Sequence, residues 1–179
     1  IIKWSSLYLH LILVYMIIAA QFESLLQPLA IMLSVPLALS GGFIGLFITG
    51  LPLNVIGIIG LIILVGIVVN NAIVLVDYIN NRRNIGEDRT SAIMKAGPIR
   101  IRPIMMTALT TILGLVPMAL GIGEGAELTQ SMGVVVIGGL ALSTVLTLVV
   151  VPVMYTIFDD IAEFFKRKFT KSKVTPERI

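Results

Sequence analysis

Five stretches of the chain, Ser6 to Ala20, Leu29 to Ile48, Val55 to Tyr78, Ile104 to Leu120 and Met132 to Phe158, are nearly unbroken apolar runs, and the one formal charge within them is Asp77. A helix that crosses a bilayer needs about 20 consecutive apolar residues, because each backbone amide must find its partner inside the segment once water is gone. These stretches therefore predict five membrane-crossing helices and an all-α membrane bundle. The first is short as it stands, and its missing turn falls in residues 1–5 or upstream. Composition agrees: 13% of the 179 residues are charged, against about 25% in a soluble domain, and mean hydropathy is +1.03. There is no cysteine and His10 is the single histidine, so neither a disulfide framework nor a metal site is expected. Ile1 opens in mid-hydrophobic sequence, with neither an initiator Met nor a signal-peptide pattern, and the chain is expected to be a piece of a longer protein.

Prolines and glycines divide the spans. Pro28 suits a first helical turn, where its missing N–H costs nothing. Pro52 followed by Asn54 punctuates the entry to the third span, Pro103 opens the fourth, and Gly121, Gly123 and Gly125 mark the loop that closes it. Pro36, Pro117 and Pro152 lie inside spans, where each deletes a backbone hydrogen bond and predicts a kink.

Twelve of the thirteen Lys and Arg residues lie in two patches, Arg82 to Arg102 and Lys166 to Arg178. Basic loops stay on the cytoplasmic side. Two spans separate the patches, so the basic loop 79–102 and the basic tail 161–179 are both expected to be cytoplasmic, with residues 1–160 forming the bundle. Glu124 and Glu127 then fall outside, loop 21–28 is inside by the count alone, and Ile1 is outside. An odd number of spans entering from outside implies something upstream beyond the membrane. Glu87 to Lys95, EDRTSAIMK, has acids first and a base last, as a helix dipole prefers. It is either a short amphipathic helix on the inner membrane surface or a solvated connector.

Asn70 and Asp77 are seven residues apart and share one helix face, with Gly66 one turn from Asn70 and Asn71 about 100° round. Two carboxamides without partners in an apolar setting would cost several kcal/mol. They therefore face other helices, as interhelical glue, or a polar site in an ion pathway. Asp77 sits near the cytoplasmic boundary, where an interfacial carboxylate is commonplace. In the fourth span Arg100, Thr107, Thr111 and Gly114 form one stripe and Arg102 points elsewhere. Arg102 is expected to snorkel to headgroups and Arg100 to aim along the bundle interior, unless both simply follow the positive-inside rule. Thr107 could bond back to its own helix. Gly41/Gly42, Gly45 and Gly138/Gly139 permit close helix approach. Phosphate-binding glycine loops and a Ser–His–Asp set are absent, so no enzyme, catalytic residue, cofactor or nucleic-acid partner is expected.

Four stretches, QFESLLQPLAIMLSVPLALSGG, GIVVNNAIVLVDY, RIRPIMMTALTTILGLVPMALG and GVVVIGGLALSTVLTLVVVPVMY, occur in this order. In them the chain resembles, from about Leu11 to Phe158, the C-terminal membrane segment of a resistance-nodulation-division transporter, close to the hydrophobe/amphiphile efflux branch. The resemblance implies spans eight to twelve of a twelve-span protomer with large periplasmic porter domains, half of a pseudo-repeated membrane domain. It also implies a homotrimer in the bacterial inner membrane, with a cytoplasmic C-terminus. Such a transporter uses the proton motive force to export drugs or amphiphilic compounds by antiport, supports multidrug resistance, and joins a periplasmic adaptor and an outer-membrane channel. An acidic pair on the fourth span, upstream of this chain, takes up the protons. Arg100 and Thr107 match the family's polar partners on span eleven, Asn71 matches a common asparagine that serves packing, and Asn70 falls where many members carry a lysine. Asn70 can donate hydrogen bonds but brings no charge, so a neighbouring aspartate loses its counter-ion and its pKa rises by desolvation. Either Arg100 supplies the nearby cation for proton coupling, or the site binds Na⁺. Two other classes fit the same residues: a membrane subunit of the protein-export machinery, which shares the fold, and an inert structural fragment.

Overall fold

The computed structural model describes residues 12–13, 15–17, 19–20, 27–123 and 125–171. The expected first span, 6–20, lies largely outside the described residues, as do loop residues 21–26, Glu124 and the tail beyond Lys171. Among the described residues there are helices and turns and no strand: α1 (Gln27–Met32), α2 (Ser34–Thr49), α3 (Val55–Asn84), α4 (Arg89–Ala119) and α5 (Ala126–Lys171). Four segments are long and apolar enough to cross a bilayer: α1 with α2, α3, α4 and α5. The expected all-α membrane bundle is the architecture found.

Local chemistry sets the breaks. Pro36 has no N–H for the carbonyl of Met32, and its ring crowds that carbonyl. The helix is interrupted at Leu33, between α1 and α2, and the Ser34 hydroxyl donates to the Ile31 carbonyl at 2.6 Å. α2 ends on Gly50 in the left-handed region, φ 68°, a conformation that disfavours any side chain with a Cβ. α3 starts on Asn54, whose Oδ1 accepts the Gly57 N–H at 2.7 Å, satisfying one of the donors that a helix start leaves without an intrahelical partner.

The other helices pack on α5. A Cβ at Gly138 would lie 2.8 Å from the Gly41 carbonyl oxygen and 3.2 Å from the Gly45 Cα, so α2 and α5 touch backbone to backbone. As numbers rise from Gly41 to Gly45 on α2, their neighbours fall from Gly138 to Val134 on α5; the two run antiparallel. α3 runs parallel to α5, with Gly60 against Met132 near one end and Asn80 bonded to Tyr155 near the other. α4 returns beside them, its Ala119 against Gly133 and accepting from Gln130 Nε2 at 3.0 Å. Two apolar clusters fill the bundle, one around Ile31, Leu75, Ile79 and Val151 and the other around Leu64, Val68, Val135 and Leu140.

Two expectations are corrected. Residues 89–95 are neither a separate surface helix nor a connector; they are the first turns of the 31-residue α4. Ala92 and Ala96 are fully buried against the first cluster, and Asp88 caps the start by accepting the Thr90 N–H at 3.2 Å. For the same reason Pro103 does not open a helix. It lies inside α4, as Pro98 does, because packing of the alanines outweighs two lost backbone bonds. α5 runs on past residue 161 to Lys171 as one 46-residue helix, about 69 Å at ~1.5 Å per residue, more than twice a ~30 Å hydrocarbon core. Pro152 lies inside α5, and the Thr156 hydroxyl donates to the Pro152 carbonyl at 3.0 Å.

Candidate functional site

The α3 stripe divides as its spacing predicts. Gly66, Asn70 and Asp77 are exposed, while Asn71 is half-buried on the same stripe as the fully buried Leu64, Val68 and Leu75. Among the described residues, none bonds the Asn70 carboxamide. A Cβ at Gly66 would meet nothing within 4 Å. On α4, Thr107 and Gly114 are exposed, Thr111 is half-buried, and a Cβ at Gly114 likewise meets nothing. A polar face on α3 and a second on α4 are thus open in this chain.

The Thr107 and Thr111 hydroxyls are spent on their own helix. Thr107 Oγ1 donates to the carbonyls of Pro103 and Ile104, 3.1 and 2.9 Å away, and Thr111 Oγ1 donates to Thr107 O at 2.8 Å. What remains at Thr107 is lone-pair capacity to accept. Arg100 is half-buried, with its guanidinium carbon 4.8 Å from the centroid of the Tyr78 ring on α3. Arg82 lies over the same ring at 5.6 Å. Arg102 is exposed, off the stripe. The structure therefore joins Arg100 to α3 through Tyr78, and makes no direct bond among Asn70, Arg100 and Thr107.

Sequence reasoning passed over a second constellation, at the opposite end of α3 from Asn54. Arg83 Nη1 donates to Asp159 Oδ1 at 2.9 Å and to the Tyr155 hydroxyl at 3.0 Å; Tyr155 in turn donates to Asn80 Oδ1 at 2.7 Å. Arg89 bonds both Asp159 and Asp160, and Glu87 pairs with Lys95 at 3.0 Å and Arg82 at 3.6 Å. A cleft between these groups is lined by Arg83, Glu87, Asp88, Arg89 and Asp159. The available signal was the Asp159–Asp160 pair directly after an apolar span, one of few acidic sites in a chain whose loops carry arginines. The buried hydroxyls of Ser143, Thr144 and Thr147 were also missed. Ser143 and Thr144 donate to the Leu140 carbonyl, whereas, among the described residues, Thr147 Oγ1 has no partner.

The comparisons agree with this architecture. A model of the AcrB/AcrD/AcrF family matches residues 5–159. The swarming motility protein SwrC of Bacillus subtilis (strain 168) is 41% identical over 157 residues, which is 87% of this chain and 15% of that protein. A crystal structure of a heavy metal efflux pump, crystal form II, superposes with a TM-score of 0.78 at 36% identity over 86% of this chain and 16% of that one. Its crystal form I gives 0.69 and 37% over 81% and 15%. The chain spans about one sixth of the length of these relatives. With matched residues covering nearly all of the bundle, the chain belongs to the AcrB/AcrD/AcrF family of resistance-nodulation-division efflux proteins.

Proposed function

We propose that this chain is the membrane segment corresponding to spans eight to twelve of a cation-driven exporter, and that its open polar faces are the surface on which coupling takes place. One observation carries the reading: Asn70, in a largely apolar span, is exposed and without a described partner, one turn from a glycine that leaves room for a neighbour. A carboxamide facing lipid costs several kcal/mol, whereas one facing a wet or protein-filled seam does not. The rest of the protomer is the natural occupant of that seam. Thr107 adds an acceptor oxygen and Arg100 a positive charge held at the membrane edge.

Proton antiport is the coupling we favour, with Na⁺ as the alternative that Asn70 opens. Drugs or amphiphilic compounds are the proposed cargo, on the strength of the motif match to the hydrophobe/amphiphile branch. Metal-ion export is the second reading, because the solved structures that this segment resembles in shape include a heavy metal efflux pump. Assembly as a homotrimer in the bacterial inner membrane, with the C-terminus cytoplasmic and with adaptor and outer channel where such a membrane exists, belongs to the same proposal. The test uses the full-length transporter in everted vesicles. Substrate flux is followed for an amphiphilic dye and for divalent metal ions under imposed proton or Na⁺ gradients. Asn70→Ala should reduce flux at least tenfold; near-normal flux would remove Asn70 from the coupling path.

A further inference from the structure

We infer that Tyr78 is a positioning residue for Arg100, holding its guanidinium on the ring face while no carboxylate engages it. The inference rests on the coupling reading above and deepens it by naming the residue that sets where the α4 charge waits. Two arginines share the ring: Arg100 at 4.8 Å and Arg82 at 5.6 Å from its centroid. Both distances fall within the ~6 Å at which a cation is attracted to the electron-rich face of an aromatic ring. Their situations differ. Arg82 also has Glu87, 3.6 Å away, but among the described residues no acid lies within ion-pair distance of Arg100. The Arg100 Nε is buried and, among the described residues, has no hydrogen-bond partner. The ring is thus the one described group that compensates the Arg100 charge.

That arrangement suits a charge that must be released. Cation–π attraction is modest compared with a bidentate carboxylate pair, so a newly ionised acid on the facing half of the protomer can draw Arg100 off the ring. When that acid is neutralised, the ring takes the guanidinium back. Tyr78 sits next to Asp77 in sequence, but Asp77 is exposed on the face shared with Asn70, whereas Tyr78 is partly buried against the first apolar cluster. The ring is held by packing and is not itself part of the polar face. Arg82, anchored also by Glu87, keeps a second positive charge at the ring and weakens the hold on Arg100 by repulsion.

The experiment is a rescue series in the full-length transporter, with flux normalised to the folded protein in the membrane. Tyr78→Leu should lower maximal flux roughly five- to tenfold with substrate KM unchanged, and Tyr78→Phe, which keeps the ring, should retain flux within about twofold of the parent. In an Arg100→Lys background, Tyr78→Leu should add little, because the ring then acts on a cation that already stacks less well. If Tyr78→Leu transports normally while Arg100→Ala is inactive, the positioning role is overturned and the coupling reading stands. If Arg100→Ala also transports normally, the coupling reading itself fails. A loss in Tyr78→Phe equal to that in Tyr78→Leu would assign the effect to the hydroxyl and overturn the ring-face account.

Discussion

Arg83, in the last turn of α3, reaches Asp159 on α5 with Nη1 2.9 Å from Oδ1, although 76 residues separate them. Asp159 is also approached by Arg89 from the start of α4, at 3.4 Å, so one carboxylate within α5 ties down the end of α3 and the start of α4. Removing it would leave two guanidiniums facing each other without their shared acceptor. Exposure limits the effect, since the Arg83 and Asp159 side chains keep 31% and 20% of their accessible surface. We expect Asp159→Ala to destabilise the full-length protein by about 1–2 kcal/mol. Asp160→Ala, at a carboxylate 60% exposed, should cost under ~0.5 kcal/mol. Thermal unfolding in detergent should place the Asp159 variant clearly below the Asp160 variant.

The α2–α5 contact gives a steric prediction. At Gly138 an added Cβ meets the Gly41 carbonyl and the Gly45 Cα, which are backbone atoms that cannot turn aside. Gly138→Leu should therefore force the helices apart and cost several kcal/mol, as overpacking of a tight core does. Gly114→Leu meets open space in this segment, so it should leave the α2–α5 contact intact. If the α4 face packs on the remainder of the protomer, the same substitution should cut flux. Expression level and flux, measured side by side, separate the two behaviours.

Thr147 is almost fully buried and, among the described residues, its hydroxyl has no partner. A buried hydroxyl without a bond costs ~1–3 kcal/mol, and valine has nearly the same shape. Thr147→Val is expected to raise the melting temperature, by an amount equivalent to about 1 kcal/mol. Thr144→Val, which loses a 2.6 Å bond to the Leu140 carbonyl, should not. An unchanged or lowered melting temperature for Thr147→Val would mean that this hydroxyl has a partner in the assembled transporter.

Local rules carried much of this fold. The break before Pro36, the Asn54 cap and the loop at Gly121, Gly123 and Gly125, all with positive φ, depend on residues within one turn of each other. The division of Asn70 from Asn71 likewise follows from helical period alone. What escaped depends on distance in sequence. Tyr78 and Arg100 meet because α4 folds back along α3, and Arg83 meets Asp159 because α3 runs parallel to α5; neither relation leaves a periodic trace. Pro103 misled for a related reason. Proline marks helix starts by local sterics, but the buried Ala92 and Ala96 hold α4 continuous through tertiary packing that the local pattern does not display.

Whether Asn70 looks into a polar seam or into lipid is the central question, and a spin label answers it directly. The chain contains no cysteine, so in a full-length protein freed of any others a label at Asn70→Cys reports one site, with Phe47→Cys, on the exposed side of α2, as the lipid reference. Collision with oxygen, which concentrates in lipid, is compared with collision with a water-soluble nickel complex. The account predicts at least several-fold less oxygen contact at position 70 than at 47, with measurable nickel contact. Oxygen contact at 70 equal to that at 47, without nickel contact, would place Asn70 in lipid and contradict it.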